Sequence, residues 1–349
     1  MSTTSRITDR ASALCVAAWA AVLLGAFLPL CRTAPGRPDA PPVAETTLLW
    51  RDPLRARALP LRLFLPAGTT RPPVILFSAG LGATHDHYAY LARYWAARGY
   101  AVVIVLHPGS DAAVFREPHT DPFWAVMRSA LRRRNWVDRP LDLSFVIDGL
   151  AAVDSMNASA KGGASLPSFD TARIGVAGHS YGAYTALAAA GLRVSFPGSG
   201  ARSFLDPRVK AVIGMSFPGD MGGALAADAF DGIRLPCMHF SGTRDDTPML
   251  GSWAADRRVP FDRIAAPDQY LVTIAGADHF ALADNDVGLD GREIRRNPAV
   301  HRSACLVSGV FWDAFLRDDT AAREWLRRAD LSSLTRGLCI METRNVPRN

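Results

Sequence analysis

The stretch Arg173-Ile-Gly-Val-Ala-Gly-His-Ser-Tyr-Gly182 decides the fold expected of this chain of 349 residues. Its apolar first half predicts a buried strand at residues 174–177, and the alanine-rich run after Gly182 predicts a helix. A serine between two such elements, with glycine two residues before and two after it, is typical of a nucleophile elbow. The turn must be tight for the hydroxyl of Ser180 to project from the sheet, and the glycines remove side chains that would clash there.

Short apolar runs alternate with helical stretches on both sides of this motif. Strands are predicted at residues 74–77, 101–106, 174–177, 211–215, 238–240 and 270–274. Helices are predicted at about 86–98 and 141–156, and two more follow the last strand. An extended pair at 45–51 and 58–65 precedes the alternation. The pattern predicts an α/β fold in one domain, with a mostly parallel central sheet and helices on both faces.

A histidine is required near the serine, because a serine hydroxyl is a poor nucleophile unless a base removes its proton. His279 is the predicted base, since it lies just beyond the last predicted strand, where the ends of parallel strands meet. His239 lies inside an apolar strand and is interpreted as a core residue. His85 and His87 have no further ligands at a telling distance, so they are interpreted as pocket residues and not as metal ligands.

The base in turn needs a carboxylate that fixes its tautomer and stabilises its charged form. Asp245, in the loop after the strand at 238–240, is the predicted acid. Asp246 is the first alternative and Asp220 the second, whereas Asp278 adjoins the base and is expected to be solvated or structural. The resulting chain order of serine, aspartate and histidine is the order found in α/β-hydrolases.

Two backbone N–H groups are expected to face the negative charge that develops on a substrate oxygen. One belongs to Tyr181, which follows the serine in the elbow. The other is expected in the glycine-containing loop Ser78-Ala-Gly-Leu-Gly82 after the first parallel strand, where Leu81 is the best candidate.

With these residues considered together, the chain resembles the α/β-hydrolase superfamily. More narrowly, it is similar to the dienelactone-hydrolase-like group that includes the platelet-activating-factor acetylhydrolases. The similar segments occur in the expected order, at 76–82, 107–111, 138–148, 178–182, 242–246 and 276–279. The resemblance implies a serine esterase that acts on a small-molecule or lipid carboxylic ester without a cofactor. It implies these site residues: Ser180, Asp245 and His279 as a catalytic triad, with Leu81 and Tyr181 as oxyanion donors.

The sequence departs from that group at two places. Ala79 stands where such proteins often have histidine. The resemblance to the acetylhydrolases implies an acid after the strand that precedes the one chosen here, but the corresponding stretch 214–218 has no carboxylate at the matching place. This favours Asp245 and weakens any transfer of a phospholipid substrate. The elbow also has no cysteine, so dienelactone hydrolysis by a thiol is not expected.

Two other functions are compatible with these motifs. Acyl transfer to an alcohol would use the same triad, and a catalytically silent hydrolase fold would serve as a binding module. Product analysis and labelling of the serine distinguish them from ester hydrolysis.

Composition and charge narrow the class of protein. The hydrophobic share of 49% and the charged share of 21% exclude a disordered, collagen-like or coiled-coil protein. Of the 39 basic residues that give the net charge of +6, all but Lys161 and Lys210 are arginines, spread along the chain except for a run at 132–134. Proteins that bind nucleic acid usually gather basic residues on one face, so no nucleic-acid partner is predicted.

The N-terminal segment predicts export. Arg6 and Arg10 precede an uncharged run at 11–30, which is long enough for a secretory signal and also for a membrane-spanning helix. We therefore predict a signal peptide or membrane anchor at residues 1–31, a proline-rich tether at 32–44 and the catalytic domain at 45–349. The expected location is periplasmic or secreted, with membrane attachment if the segment is retained.

Two further patterns leave alternatives open. Cys305 and Cys339 bracket the C-terminal helices and would pair in an oxidising compartment, unless they are small buried apolar residues like Cys237. In the stretch 123–136, apolar residues at helical spacing predict either a lid over the acyl pocket or, preferably, a surface helix packed on the domain.

Overall fold

The computed structural model describes residues 30–32, 42–116, 121–159, 166–196, 200–219, 225, 227–284 and 296–345. Most of the predicted signal or anchor segment, the tether between 33 and 41, and the alternative acid Asp220 therefore lie outside the described residues. Within the described part of the chain, no helix is both long enough and apolar enough to cross a bilayer.

A large sheet forms the centre of the molecule. The strands of the described residues are β1 Leu30–Arg32, β2 Val43–Asp52, β3 Arg57–Pro66, β4 Pro73–Ser78, β5 Ala101–Val105, β6 Asp170–His179, β7 Arg193–Phe196, β8 Gly200–Ser203, β9 Val209–Met215, β10 Cys237–Arg244, β11 Gln269–Asp278 and β12 Cys339–Arg344. All but β7 and β8 join one sheet in the order β1-β2-β3-β5-β4-β6-β9-β10-β11-β12. In this order the six neighbouring strands β5, β4, β6, β9, β10 and β11 are mutually parallel, and the strands at both edges of the sheet are antiparallel. The sheet is therefore mostly parallel, as predicted.

Helices cover both faces of this sheet. The helices of the described residues are α1 Ala89–Ala97, α2 Pro122–Leu131, α3 Arg133–Ser159, α4 Tyr181–Ala189, α5 Val259–Arg263, α6 Pro298–Leu316, α7 Thr320–Arg328 and α8 Leu331–Leu334. One apolar core joins α3 and α4 to the sheet, and a second joins α1 and α6 to its other face. The central strands are buried on both faces, which explains why their sequences read as unbroken apolar runs.

The connection between strands changes direction at β4. The chain passes from β4 to β5 on one side and returns to β6 on the other, so the carboxyl ends of β4 and β6 border a crevice at a topological switch point. Ligands of open α/β sheets bind at such a crevice. The loop after β4 contains Leu81, and the elbow follows β6, so both predicted oxyanion donors lie at this place.

The structure corrects several boundaries. The helix predicted at 141–156 begins at Arg133 and contains Pro140 in its second turn. Proline has no N–H to donate to the carbonyl of Trp136, which accepts instead from the hydroxyl of Tyr184 at 2.8 Å. The stretch 123–136 is divided between α2 and α3. In α2 the buried residues are Ala125, Val126, Ser129 and Ala130. Trp124 is 59% exposed and Leu131 is 72% exposed, so these two residues of the predicted apolar stripe do not face the core.

The disulfide between Cys305 and Cys339 does not form in the structure. Both are free thiols, buried in the core between the sheet and α6. Cys237 in β10 is also a free, buried thiol, but it lies in the core on the other face of the sheet. Cys339 is also held by its backbone N–H, which donates to Oγ1 of Thr335 at 2.9 Å. Each cysteine thus has the packing of a small apolar residue, which was the alternative interpretation.

Candidate active site

The elbow holds Ser180 in a conformation that few residues adopt. Its φ is 55° and its ψ is −120°, and its N–H donates to the carbonyl of Met215 at 2.8 Å. A Cβ atom at Gly178 would lie 2.2 Å from the carbonyl oxygen of Gly182, and one at Gly182 would lie 1.9 Å from the carbonyl oxygen of Ser78. Both glycines are therefore required sterically, and the second brings the elbow directly against the end of β4.

The three side chains of the predicted triad lie within hydrogen-bond distance of one another. Nε2 of His279 is 2.9 Å from Oγ of Ser180, and Nδ1 of His279 is 2.7 Å from Oδ1 of Asp245. The carboxylate can only accept, so Nδ1 carries the proton and Nε2 is free to accept from the serine hydroxyl. These side chains come from three different loops, after β6, β10 and β11.

The alternative acids do not share this position. Asp246 is exposed, and its carboxylate accepts from the N–H of Ala254 at 2.8 Å. Asp278 is exposed as well and accepts from the N–H of Phe280 at 3.0 Å. Asp245 is thus the carboxylate that contacts the imidazole among the described residues.

Sequence reasoning missed the buried cation beside Asp245. Nε of Arg257 donates to Oδ1 of Asp245 at 3.0 Å, and both side chains are fully buried. Burial alone would raise the pKa of Asp245, but His279 and Arg257 outweigh it and lower the pKa to about 2. Arg257 also donates to the carbonyl of Phe217 at 2.8 Å and to Oγ1 of Thr247 at 2.8 Å, so it fixes the loop that carries the acid.

The histidine inside the elbow was also missed. Nε2 of His179 is 2.8 Å from the carbonyl oxygen of His279, and Nδ1 is 3.0 Å from the hydroxyl of Tyr88. The carbonyl can only accept, so Nε2 carries the proton and Nδ1 accepts from the phenol. Burial, together with the neighbouring His279, lowers the pKa of His179 to about 3, which keeps its ring neutral at neutral pH. No motif signals this role, because its partners are far away in the sequence.

The two predicted oxyanion donors lie in the elbow and in the loop packed against it, since a Cβ atom at Gly80 would lie 3.3 Å from the carbonyl oxygen of His179. Tyr181 is the first residue of α4, and the first N–H groups of a helix have no partner within it. Among the described residues, the N–H of Leu81 likewise donates to no other group. The next residue, Gly82, donates to the carbonyl of Ser110 at 2.8 Å and has a φ of 71°, so its position fixes the turn of the loop.

The described residues contain no group of three or more histidines, cysteines or acidic residues that could hold a metal ion. His85 and His87 lie in a short 3-10 turn before α1, and burial lowers the pKa of both.

No family model matches this sequence, and no curated protein matches it. The fold is similar to a solved structure described as a ferulic acid esterase from Streptomyces cinnamoneus, with a TM-score of 0.55 at 18% sequence identity. The likeness covers 83% of this chain and 94% of that chain. With its large, mostly parallel sheet and helices on both faces, the chain has the α/β-hydrolase fold, as predicted. The narrower resemblance to the dienelactone-hydrolase-like group stays a prediction.

Proposed function

We propose that this chain is a serine hydrolase that cleaves carboxylic esters through an acyl-enzyme on Ser180. The observation that carries the proposal is the hydrogen-bonded series from Ser180 through His279 to Asp245, with distances of 2.9 and 2.7 Å. The similarity of the fold to a protein named as a ferulic acid esterase supports ester cleavage over other hydrolase reactions.

In the first half of the reaction, Oγ of Ser180 attacks the ester carbonyl carbon while Nε2 of His279 takes the hydroxyl proton. The carbonyl π electrons move to the oxygen, which becomes an oxyanion facing the N–H groups of Leu81 and Tyr181. As the tetrahedral intermediate collapses, His279 returns the proton to the departing alcohol. Asp245, ionised because its pKa is about 2, stabilises the imidazolium in between.

In the second half, a water molecule replaces the alcohol. His279 removes a proton from the water, which attacks the acyl carbon, and the same proton then returns to Oγ of Ser180 as the acid leaves. Each step needs only the groups already described, so no cofactor enters the proposed mechanism.

The substrate class and location rest on sequence alone. We expect a small-molecule or lipid ester, and export of the chain to the periplasm or the medium, with membrane attachment if residues 11–30 are retained. A panel of esters with acyl chains of increasing length would define the substrate preference.

The decisive experiment compares Ser180→Ala with Ser241→Ala on a short chromogenic ester. Ser241 is another buried serine, and among the described residues its hydroxyl makes one hydrogen bond, to the neighbouring carbonyl of Gly242 at 3.4 Å. Ser180→Ala is expected to lower kcat by about 10⁶-fold, as loss of a triad nucleophile does, and to abolish labelling by a fluorophosphonate probe. Ser241→Ala should keep both. Unchanged ester cleavage by Ser180→Ala would disprove the proposal.

Two outcomes would favour the other functions. If an added alcohol converts most of the acyl-enzyme to a new ester, the chain is an acyltransferase that uses the same triad. If the native chain neither cleaves esters nor reacts with the fluorophosphonate, it is a silent hydrolase fold that acts as a binding module.

A further inference from the structure

A fully buried arginine lies behind the predicted oxyanion site. Arg139 is in α3 and is 1% exposed. It lies in the similar segment 138–148, but no role was predicted for it from the sequence. Its Nη2 donates to the carbonyl of Ala79 and, at 3.1 Å, to Oγ of Ser78. It therefore binds the loop that leads to Leu81 at two consecutive residues.

The same guanidinium contacts the segment that carries the other donor. Its central carbon lies 4.4 Å from the centroid of the Tyr181 ring, a cation–π distance. Its Nε donates to Oγ1 of Thr185 at 2.8 Å, and that hydroxyl donates to the carbonyl of Tyr181 at 2.9 Å. One side chain thus connects the end of β4 with the first turn of α4.

Arg139 differs from the buried arginines Arg257 and Arg57 in that its charge is not paired with a carboxylate among the described residues. Its remaining contact, from Nη1 to Oγ of Ser110 at 2.7 Å, is again to a neutral oxygen. Arg257 contacts the carboxylate of Asp245, and Arg57 contacts those of Asp138 and Asp142, but among the described residues no carboxylate lies within ion-pair distance of Arg139. Burial lowers the pKa of Arg139 to about 10, so its guanidinium still carries a positive charge at neutral pH.

A buried relay fixes the polarity of this cluster. Oγ of Ser78 is 2.9 Å from Nε2 of His107, and Nδ1 of His107 is 3.0 Å from Oδ2 of Asp142. Because the carboxylate accepts from Nδ1, Nε2 must accept from the Ser78 hydroxyl, which leaves the Ser78 oxygen to accept from Arg139. All the hydrogen bonds therefore run in one direction, from the cation beside the oxyanion loop to the carboxylate of Asp142.

We propose that Arg139 is a positioning residue of the oxyanion site, where it holds both donor segments in register and adds an unneutralised positive charge behind them. The inference rests on the proposed function, since it assigns the place where the substrate oxygen becomes negative. A preorganised positive charge in a site of low dielectric stabilises that oxygen more in the transition state than in the substrate. Arg139 touches neither substrate nor triad, so it acts through Ala79 and Tyr181.

The test compares Arg139→Met and Arg139→Lys with Arg93→Met. Arg93 is another largely buried arginine, but its carboxylate partner is Glu45, on an antiparallel strand away from the elbow. Three quantities are measured for each folded variant: kcat, KM, and the inhibition constant of a trifluoromethyl ketone, which forms a tetrahedral alkoxide on the serine. Circular dichroism and urea unfolding check that each variant is folded.

Arg139→Met is expected to lower kcat by about 10- to 100-fold, less than the loss of a donor itself, with little change in KM. The inhibition constant of the trifluoromethyl ketone should rise by a similar factor, because its alkoxide occupies the same place as the substrate oxyanion. Arg139→Lys keeps the positive charge but loses the fork of N–H donors. Its kcat and its inhibition constant should therefore lie between those of the native chain and those of Arg139→Met. Arg93→Met should change neither quantity, whatever its stability.

The inference is overturned if folded Arg139→Met keeps kcat and ketone inhibition within about twofold of the native values. If Arg139→Met does not fold, Arg139→Lys decides, since native kcat and native ketone inhibition in that variant would also overturn it. If the native chain does not cleave esters but does react with a fluorophosphonate, the labelling rate replaces kcat, because the phosphonyl oxygen occupies the oxyanion site. If the native chain does not react at all, both this inference and the proposed function are wrong.

Discussion

The ring of His179 donates from Nε2 to the backbone carbonyl of His279 across 2.8 Å. The residue before Ser180 thereby holds the loop that carries His279, although the two histidines are 100 positions apart in the chain. The elbow thus has a second task beyond presenting the serine hydroxyl. It fixes the height of the imidazole above the sheet, on which the hydrogen bond to Ser180 depends.

Loss of this contact should lower turnover without unfolding the chain. In His179→Phe the ring remains but the donor is lost, so we expect kcat to fall by about 10- to 100-fold, the scale of a small misplacement of catalytic groups. His179→Gln should retain more activity, because its amide N–H can still donate to the carbonyl of His279. Steady-state kinetics on a short ester measures both variants.

Tyr88→Phe is the matched control for that pair. It removes only the phenol that donates to Nδ1 of His179 at 3.0 Å and leaves the contact to His279 intact. Its effect on kcat should be smaller than that of His179→Phe. Equal turnover in folded His179→Phe and the native chain would show that the contact does not position the base.

The two adjacent aspartates should differ sharply in their effect on turnover. Asp245→Asn presents an amide to Nδ1 of His279, which favours the wrong tautomer, and we expect kcat to fall by about 10³- to 10⁴-fold. Asp246→Asn changes an exposed carboxylate and should leave kcat within about twofold of the native value. Kinetics of both variants at neutral pH makes the comparison, and a larger loss in Asp246→Asn would mean that the acid has been misassigned.

Much of the fold and of the candidate site follows from local sequence. The parallel strands β4, β5, β6, β9, β10 and β11 contain short apolar runs between turn residues, and buried parallel strands have that pattern because both of their faces are covered. The elbow, Asp245 and His279 each lie just after such a run. Their positions at the carboxyl ends of predicted strands were therefore sufficient to select them as candidates.

The remaining features depend on contacts that no local pattern records. Arg139 and Ser78 are 61 positions apart, and Tyr88 and His179 are 91 apart, so their hydrogen bonds exist only after the sheet has formed. The edge strand β12 was missed for a related reason. It is half-exposed and, among the described strands, pairs with β11 alone, so its sequence lacks the unbroken apolar run that marked the central strands.

Close packing between the elbow and β4 predicts that Gly182 cannot carry a side chain. In Gly182→Ala the new methyl group would meet the carbonyl oxygen of Ser78, part of the rigid sheet, and we expect the free energy of unfolding to fall by about 3 kcal/mol. Gly214→Ala is the control, because a Cβ there would meet its nearest neighbour, the His239 ring, at an ordinary 3.5 Å. Urea unfolding of both variants measures the difference, and equal stabilities would argue against the close approach of the two segments.

A buried histidine in β10 should make stability depend on pH. His239 is 1% exposed, and among the described residues neither of its ring nitrogens has a hydrogen-bond partner. Burial lowers its pKa from about 6.5 in the unfolded chain to about 4, so protons bind the unfolded state more strongly and stability falls as the pH drops from about 6.5 towards 4. In His239→Leu this contribution is absent and an apolar side chain fills a similar space. We therefore compare the free energy of unfolding of the variant with that of the native chain, by urea unfolding at pH 5 and at pH 7.5. The difference in favour of the variant should be about 2 kcal/mol larger at pH 5 than at pH 7.5. A difference between variant and native chain that is the same at both pH values would mean that His239 does not titrate as its burial requires.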